Sequence, residues 1–226
     1  MSGLVYATSA PSDYPVTRTE ALLFIKQEAG TPDDALVDDL IIMATSQAEQ
    51  ITEMQFKTAT YIQYFDGWPC KKFVGTIGTN RIIQLNKPPL ISVASVRYID
   101  QDGAEQTIDP SNYTVHSKKY YESYVVFNKD YTLPEVSENI IDSVYVEFTC
   151  GWEGWNGGVP GIQSEFKTAI KAIVAEIYQH RMFNLDGSMT GTLQENSWAM
   201  QILKSFKIHR PTGIGAGGNI PDNYLT

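Results

Sequence analysis

The chain has 226 residues, 42% hydrophobic and 19% charged, the composition of a globular protein with one good core or two small ones. A formal charge of -9 and a pI near 4.8 argue against a groove that grips phosphates, because such grooves need clustered Lys and Arg. No apolar run approaches the roughly 20 residues of a membrane-spanning helix, so no membrane contact is expected.

Residues 1–15 are small, polar and punctuated by proline, and read as an N-terminal arm without a fold of its own. They show no basic region followed by an apolar one, so a secretory signal is not expected. The cysteines, Cys70 and Cys150, are read as free thiols in a reducing cytoplasm. Thr17 and Glu20 match a capping box, which predicts a short helix carrying Ala21, Leu22, Phe24 and Ile25 and stopping at Gly30. Thr31 as cap, Pro32 in the first helical position and Asp33 and Asp34 at the positive dipole end predict a second, long helix to about Gln55. Its apolar stripe is Leu36, Leu40, Met43, Ala44, Ala48, Ile51 and Met54.

The period then changes. Short β-branched and aromatic runs at Ala59–Phe65, Arg81–Leu85, Ser92–Ile99, Glu105–Ile108, Asn112–His116, Tyr124–Phe127 and Ser143–Thr149 predict strands. Turn chemistry at Asp66-Gly67, Gly78-Thr79-Asn80, Asp102-Gly103 and Asp109-Pro110-Ser111 separates them, and Asp130–Asn139 reads as a loop. Strands this close, with no helices between them, imply an antiparallel sheet or small barrel. A strand entering Cys150-Gly151-Trp152 hands over to a long amphipathic helix from Ile162, with Phe166, Ala169, Ile170, Ile173, Val174, Ile177, Tyr178 and Met182 on one face. Its other face carries Lys167, Lys171, Glu176, Gln179 and His180. A last helix is expected from Ser197, with Trp198, Ala199, Ile202, Leu203 and Phe206 as its apolar face, followed by a Gly-rich tail. The fold class is therefore α+β: a bundle of three to four helices with an inserted antiparallel β lobe and extended arms at both ends. Its divisions are an arm at 1–15, helical core at 16–57 and 151–206, β lobe at 58–150 and C-terminal arm at 207–226.

Residues fit for catalysis are few. His116, His180 and His209 lack metal-ligand spacing, so neither metal nor cofactor is expected. Cys150 with His180 as nucleophile and base has no supporting signature, and the carboxylates read as caps and solvated faces. Gly154, Gly157 and Gly158 precede a helix without a phosphate-loop pattern; a turn folding Trp152 and Trp155 over the lobe junction explains them. The basic pairs Lys71-Lys72 and Lys118-Lys119 read as solvated strand ends.

The ordered set of these pieces resembles the head-tail connector family of tailed bacteriophages, also called adaptor or head-completion proteins. The resemblance is carried by the capping-box helix, Thr31-Pro32-Asp33-Asp34, Tyr61 to Pro69, Leu85 to Val96, Tyr98-Ile99-Asp100, Asp109 to Tyr113, and Val146 to Trp152 with Val159-Pro160 before the long helix. It implies a structural virion protein of the neck, assembled in the host cytoplasm. Such a subunit forms a dodecameric ring below the portal, extends the DNA channel without sequence-specific DNA binding, and offers a platform to a distal tail or neck protein. Candidate portal anchors are His209, Arg210, Ile214, Ile220 and Tyr224 in the C-terminal arm, which the resemblance does not reach. Candidate ring contacts are Asp38, Gln47, Lys167, Lys171, Gln179 and Arg181. The rival readings are a cell-wall hydrolase and a virion glycan-binding module.

Overall fold

The computed structural model describes residues 4–9, 14–69, 81–117, 123–137, 139–152, 162–180 and 197–207. Within them lie strands β1 (Leu4–Ala7), β2 (Ala59–Phe65), β3 (Ile82–Gln84), β4 (Leu90–Ile99), β5 (Glu105–Thr107), β6 (Tyr113–His116), β7 (Tyr124–Phe127) and β8 (Val144–Cys150). The helices are α1 (Arg18–Ile25), α2 (Asp34–Thr52), α3 (Ile162–His180) and α4 (Trp198–Ser205). The fold is α+β, with the helices gathered on one hydrophobic cluster and most strands on another.

α1 starts where the capping box predicts: Glu20 N–H donates to the Thr17 hydroxyl at 3.3 Å, and Thr17 N–H to Glu20 Oε2 at 2.9 Å. It ends earlier than expected, at Lys26 in the left-handed region, and Gly30 with φ +84° serves the following turn instead. α2 also starts later, with Asp33 as its flanking residue, because the segment from Thr31 is occupied by a turn in which Asp34 N–H donates to Thr31 O. Glu53, again left-handed, ends it short of Gln55. The buried face of α2 is Val37, Leu40, Ile41, Ala44, Thr45, Ala48 and Thr52, rotated from the expected stripe so that Met43 is exposed. The two threonines tolerate burial because their hydroxyls donate to Ile41 O and Ala48 O one turn back.

α2 and α3 run antiparallel, tied by Tyr178 Oη donating to Asp33 Oδ2 at 2.6 Å at one end and by Phe56 packed at a tilt against Phe166 at the other. α1 lies parallel to α3, since Glu20 meets Lys167 and, one turn on, Phe24 meets Lys171. α4 closes the bundle through Ala199, Met200 and Leu203, with Phe206 edge-on to Phe166 at 5.0 Å. Its cap is the expected Ser197, whose hydroxyl accepts from Met200 N–H, but Trp198 points outward rather than into the core.

The strands form a five-stranded antiparallel sheet in the order β1-β2-β8-β4-β5 and a three-stranded one in the order β3-β7-β6. The alternating burial of β2 and β8 sends Ala59, Tyr61, Phe65, Val144, Val146, Phe148 and Cys150 into a core shared with Ile83, Val125 and Phe127 of the smaller sheet. Seven strands match the expected runs closely. The eighth was not among the expected runs: in the arm read as having no fold of its own, Leu4 to Ala7 pair with Tyr64 to Tyr61 and cover the β2 edge. A strand of four residues has no stability alone and forms only because that edge is there to receive it.

Candidate interaction surfaces

The junction between the two clusters is built around one carboxylate. Glu49, in the last turns of α2, accepts on Oε1 from Gln55 Nε2 (2.9 Å), Phe56 N–H (2.9 Å) and Lys57 N–H (3.1 Å), while Lys57 Nζ lies 3.2 Å from Oε2. Both side chains of this ion pair are about nine-tenths buried, so the pair stands on these added bonds as well as on its Coulomb attraction. Tyr61 Oη donates to Gln55 Oε1 at 3.0 Å, and burial, with smaller contributions from Cys150 and Glu49, pushes its hydroxyl up to about 12, so it remains a donor. The chain leaving α2 is also bonded to the turn before β4, Gln55 N–H to Pro88 O at 2.7 Å, and the chain leaving β8 joins the same turn, Gly151 N–H to Pro89 O at 2.9 Å. Trp152 N–H donates to Phe56 O at 3.2 Å, and its ring packs edge-on to Phe166, as the junction reading of that tryptophan expected. Gly151 has φ +122°, and a Cβ there would sit 2.5 Å from Lys57 O. Only glycine lets these two crossing segments touch.

Beside the junction is a cavity of about 320 Å³ lined by Val5, Glu49, Gln50, Glu53, Asn86 and Lys87. Its lining comes from β1, α2 and the turn before β4, and Lys207, just past α4, reaches Glu53 at 3.5 Å. Cys150 is fully buried in the β core, and burial pushes its thiol well above the ordinary range, which suits packing and not nucleophilic attack. The carboxylates have structural partners: Asp109 caps a 3-10 turn, Asp100 accepts from the backbone of the turn before β5, and Glu105 pairs with Arg97 at 3.1 Å. Among the described residues no group of three His, Cys, Asp or Glu is placed to hold a metal ion.

Of the residues expected to make ring contacts, Asp38 accepts a forked pair of bonds from Arg18, Lys167 bonds Glu20 at 2.7 Å, and Lys171 lies over the Phe24 ring. The structure thus brings all three to the flank formed by α1. Gln47 is half-buried on α2 and Gln179 exposed near the end of α3. Arg181, the portal anchors His209, Arg210, Ile214, Ile220 and Tyr224, the two Lys pairs, Trp155 and the Gly154–Gly158 turn lie outside the described residues, as does the side chain of His180. Large apolar side chains stand on the surface: Phe24, Met43 and Trp198 (51% exposed), which the sequence reading places on apolar helix faces, and Leu23 (79%), Ile42 and Ile140 with Ile141 (80%) in the turn before β8, which it does not single out. Leu23 carried a signal, because it falls off the Ala21, Leu22, Ile25 face by one position.

No family model matches the chain, and no curated protein does either. Solved structures do. One is a chain from the "neck of empty GTA particle computed with C6 symmetry", with a TM-score of 0.68 and 15% identity. A second is from the "virion of native gene transfer agent (GTA) particle", with a TM-score of 0.66 and 14% identity. A third, from the "neck of native GTA particle computed with C12 symmetry", has a TM-score of 0.57 and 15% identity. Each match covers 93% of this chain and 98% of the other. At that identity the likeness is one of fold, and the connector resemblance read from the residues holds at that level: this chain is built, almost end to end, like subunits of phage-like particle necks.

Proposed function

We propose that the chain is a structural subunit of a virion neck, a head-to-tail adaptor that forms a dodecameric ring below the portal, extends the DNA channel and presents a docking platform to the next tail component. The observation that carries this reading is the end-to-end correspondence with chains of particle necks solved with six- and twelvefold symmetry. A ring repeats one heterologous interface around its axis, and a helical lobe with exposed apolar groups on α1 and α4 offers the two unlike patches such an interface needs. The net charge of -9 lets DNA pass a wall that does not attract its phosphates. In this reading His209, Arg210, Ile214, Ile220 and Tyr224 of the C-terminal arm anchor the ring on the portal, and Asp38, Gln47, Lys167, Lys171, Gln179 and Arg181 lie at or around the subunit contacts. The ring assembles in the host cytoplasm and remains in the virion.

Native mass measurement of the purified chain, alone and with a portal ring, is the test. A closed multimer bound to the portal is the expected species; a chain that stays monomeric in both samples at high concentration would sink the proposal.

A further inference from the structure

We propose that Trp198 of one copy seats against Leu23 and Phe24 of the next, making the apolar centre of the ring interface. This rests on the ring reading above and names the contact that reading leaves open. α1 and α4 each pack against both α2 and α3, yet not on each other to any comparable extent. Two short helices that share the same long pair without meeting lie end to end in one groove or in opposite grooves, and because Glu20 of α1 and Phe206 at the end of α4 reach adjacent residues of α3, Lys167 and Phe166, they lie at the same height and so in opposite grooves. The residues of α3 agree: Lys167 and Lys171 face α1, whereas Phe166 faces Phe206 beyond α4, and on a helical wheel these positions are more than a quarter turn apart.

The exposed apolar groups therefore sit on opposite flanks of the helical lobe. On α4, Ala199, Met200 and Leu203 face inward, and Trp198 points away from them with Gln201 and Ser205. On α1, Ala21 and Leu22 face inward, and Leu23 lies outward beside Phe24. A head-to-tail ring needs this arrangement, since each subunit must offer two different complementary patches, one to each neighbour. Burying an aromatic ring against a leucine and a phenylalanine is the type of contact that dominates interface energies. The α1 patch has a polar rim formed by the Arg18–Asp38 pair, the Lys167–Glu20 pair and Lys171, each already held within its own subunit. Such a rim is preorganised and loses little side-chain freedom on association.

The test places cysteines at both patches in a Cys70→Ser background, where the remaining Cys150 is buried. Thr19→Cys with Gln201→Cys, each an exposed position one turn from a proposed contact residue, treated with a short bismaleimide, should give a ladder of covalent multimers, whereas each single variant should give no covalent multimers. A double variant that labels fully with a monofunctional maleimide but gives no ladder, while the unmodified protein forms a ring by native mass, overturns this contact and leaves the ring standing. Covalent dimers from either single variant would show a like-with-like contact and overturn it as well. Absence of both ladder and ring removes the contact together with the proposed function. A second variant, Trp198→Glu, should lose the ring with its circular dichroism and thermal midpoint unchanged, because the substituted side chain is half exposed; a ring that persists in Trp198→Glu overturns the proposal.

Discussion

Glu49 shows how much of this molecule rests on single buried polar groups. Its one carboxylate satisfies two backbone N–H groups, an amide and an ammonium where the chain turns out of α2. Glu49→Ala should leave Lys57 buried without its counter-ion and destabilise the protein by roughly 3–5 kcal/mol, read as a shifted midpoint in urea unfolding. Glu20 makes a pH-dependent contribution. Burial pushes its carboxyl up, but the bonds from Lys167 and Thr17 outweigh burial and hold it below the ordinary value. A group whose folded pKa is depressed contributes stability above its unfolded value, about 4.3 for Glu, and that contribution is lost as pH falls through the folded value. Unfolding measured across pH 5 to 3 should therefore show a shallower acid loss in Glu20→Gln than in the unsubstituted protein.

Phe166 is the point where the helical elements meet: Phe56, Trp152 and Phe206 all pack on its ring. Phe166→Ala should cost about 3–5 kcal/mol, measured by denaturant unfolding, because three aromatic neighbours cannot all collapse into the space left. The elements themselves were largely legible in the sequence. Ala59–Phe65 and Tyr124–Phe127 coincide with β2 and β7, since β-branched and aromatic runs bounded by turn residues admit few other structures. The capping box at Thr17 and the cap at Ser197 are local patterns and were found as such. Features that depend on a distant partner were not legible. β1 exists only against β2, and the α2 face was misjudged because Met43 looks inward-facing by type while Thr45 and Thr52 look outward-facing until their hydroxyls find backbone acceptors. For the same reason the junction role of Glu49 was invisible, its acceptor duties being owed to residues that only the fold brings under it. The exposed Trp198 was assigned to a core because a helical pattern cannot say that the core is already full.

At the scale of the whole molecule, the two hydrophobic clusters divide the labour of the fold, and the N-terminal arm touches both, Tyr14 packing on the helical cluster and Val5 on the strand cluster. Deleting residues 211–226 should leave the unfolding transition unchanged, since this Gly-rich segment has little apolar surface to bury, and should abolish attachment to portal-bearing capsids in a cosedimentation assay. Attachment that survives the deletion would assign portal docking to the helical lobe. The clusters are joined where the chain crosses between them at Gln55–Lys57 and again at Gly151–Trp152, and these crossings are bonded to each other and to Pro88 and Pro89. A hinge needs a narrow, solvated waist with spare torsions. Here the waist is a knot of mutually bonded strands, closed by a glycine whose extra atom would have no room. For the proposed ring this predicts a subunit that acts as a stiff strut of set height: stacked in a column it adds a constant increment, and thrust applied at one end arrives at the other without being spent in bending.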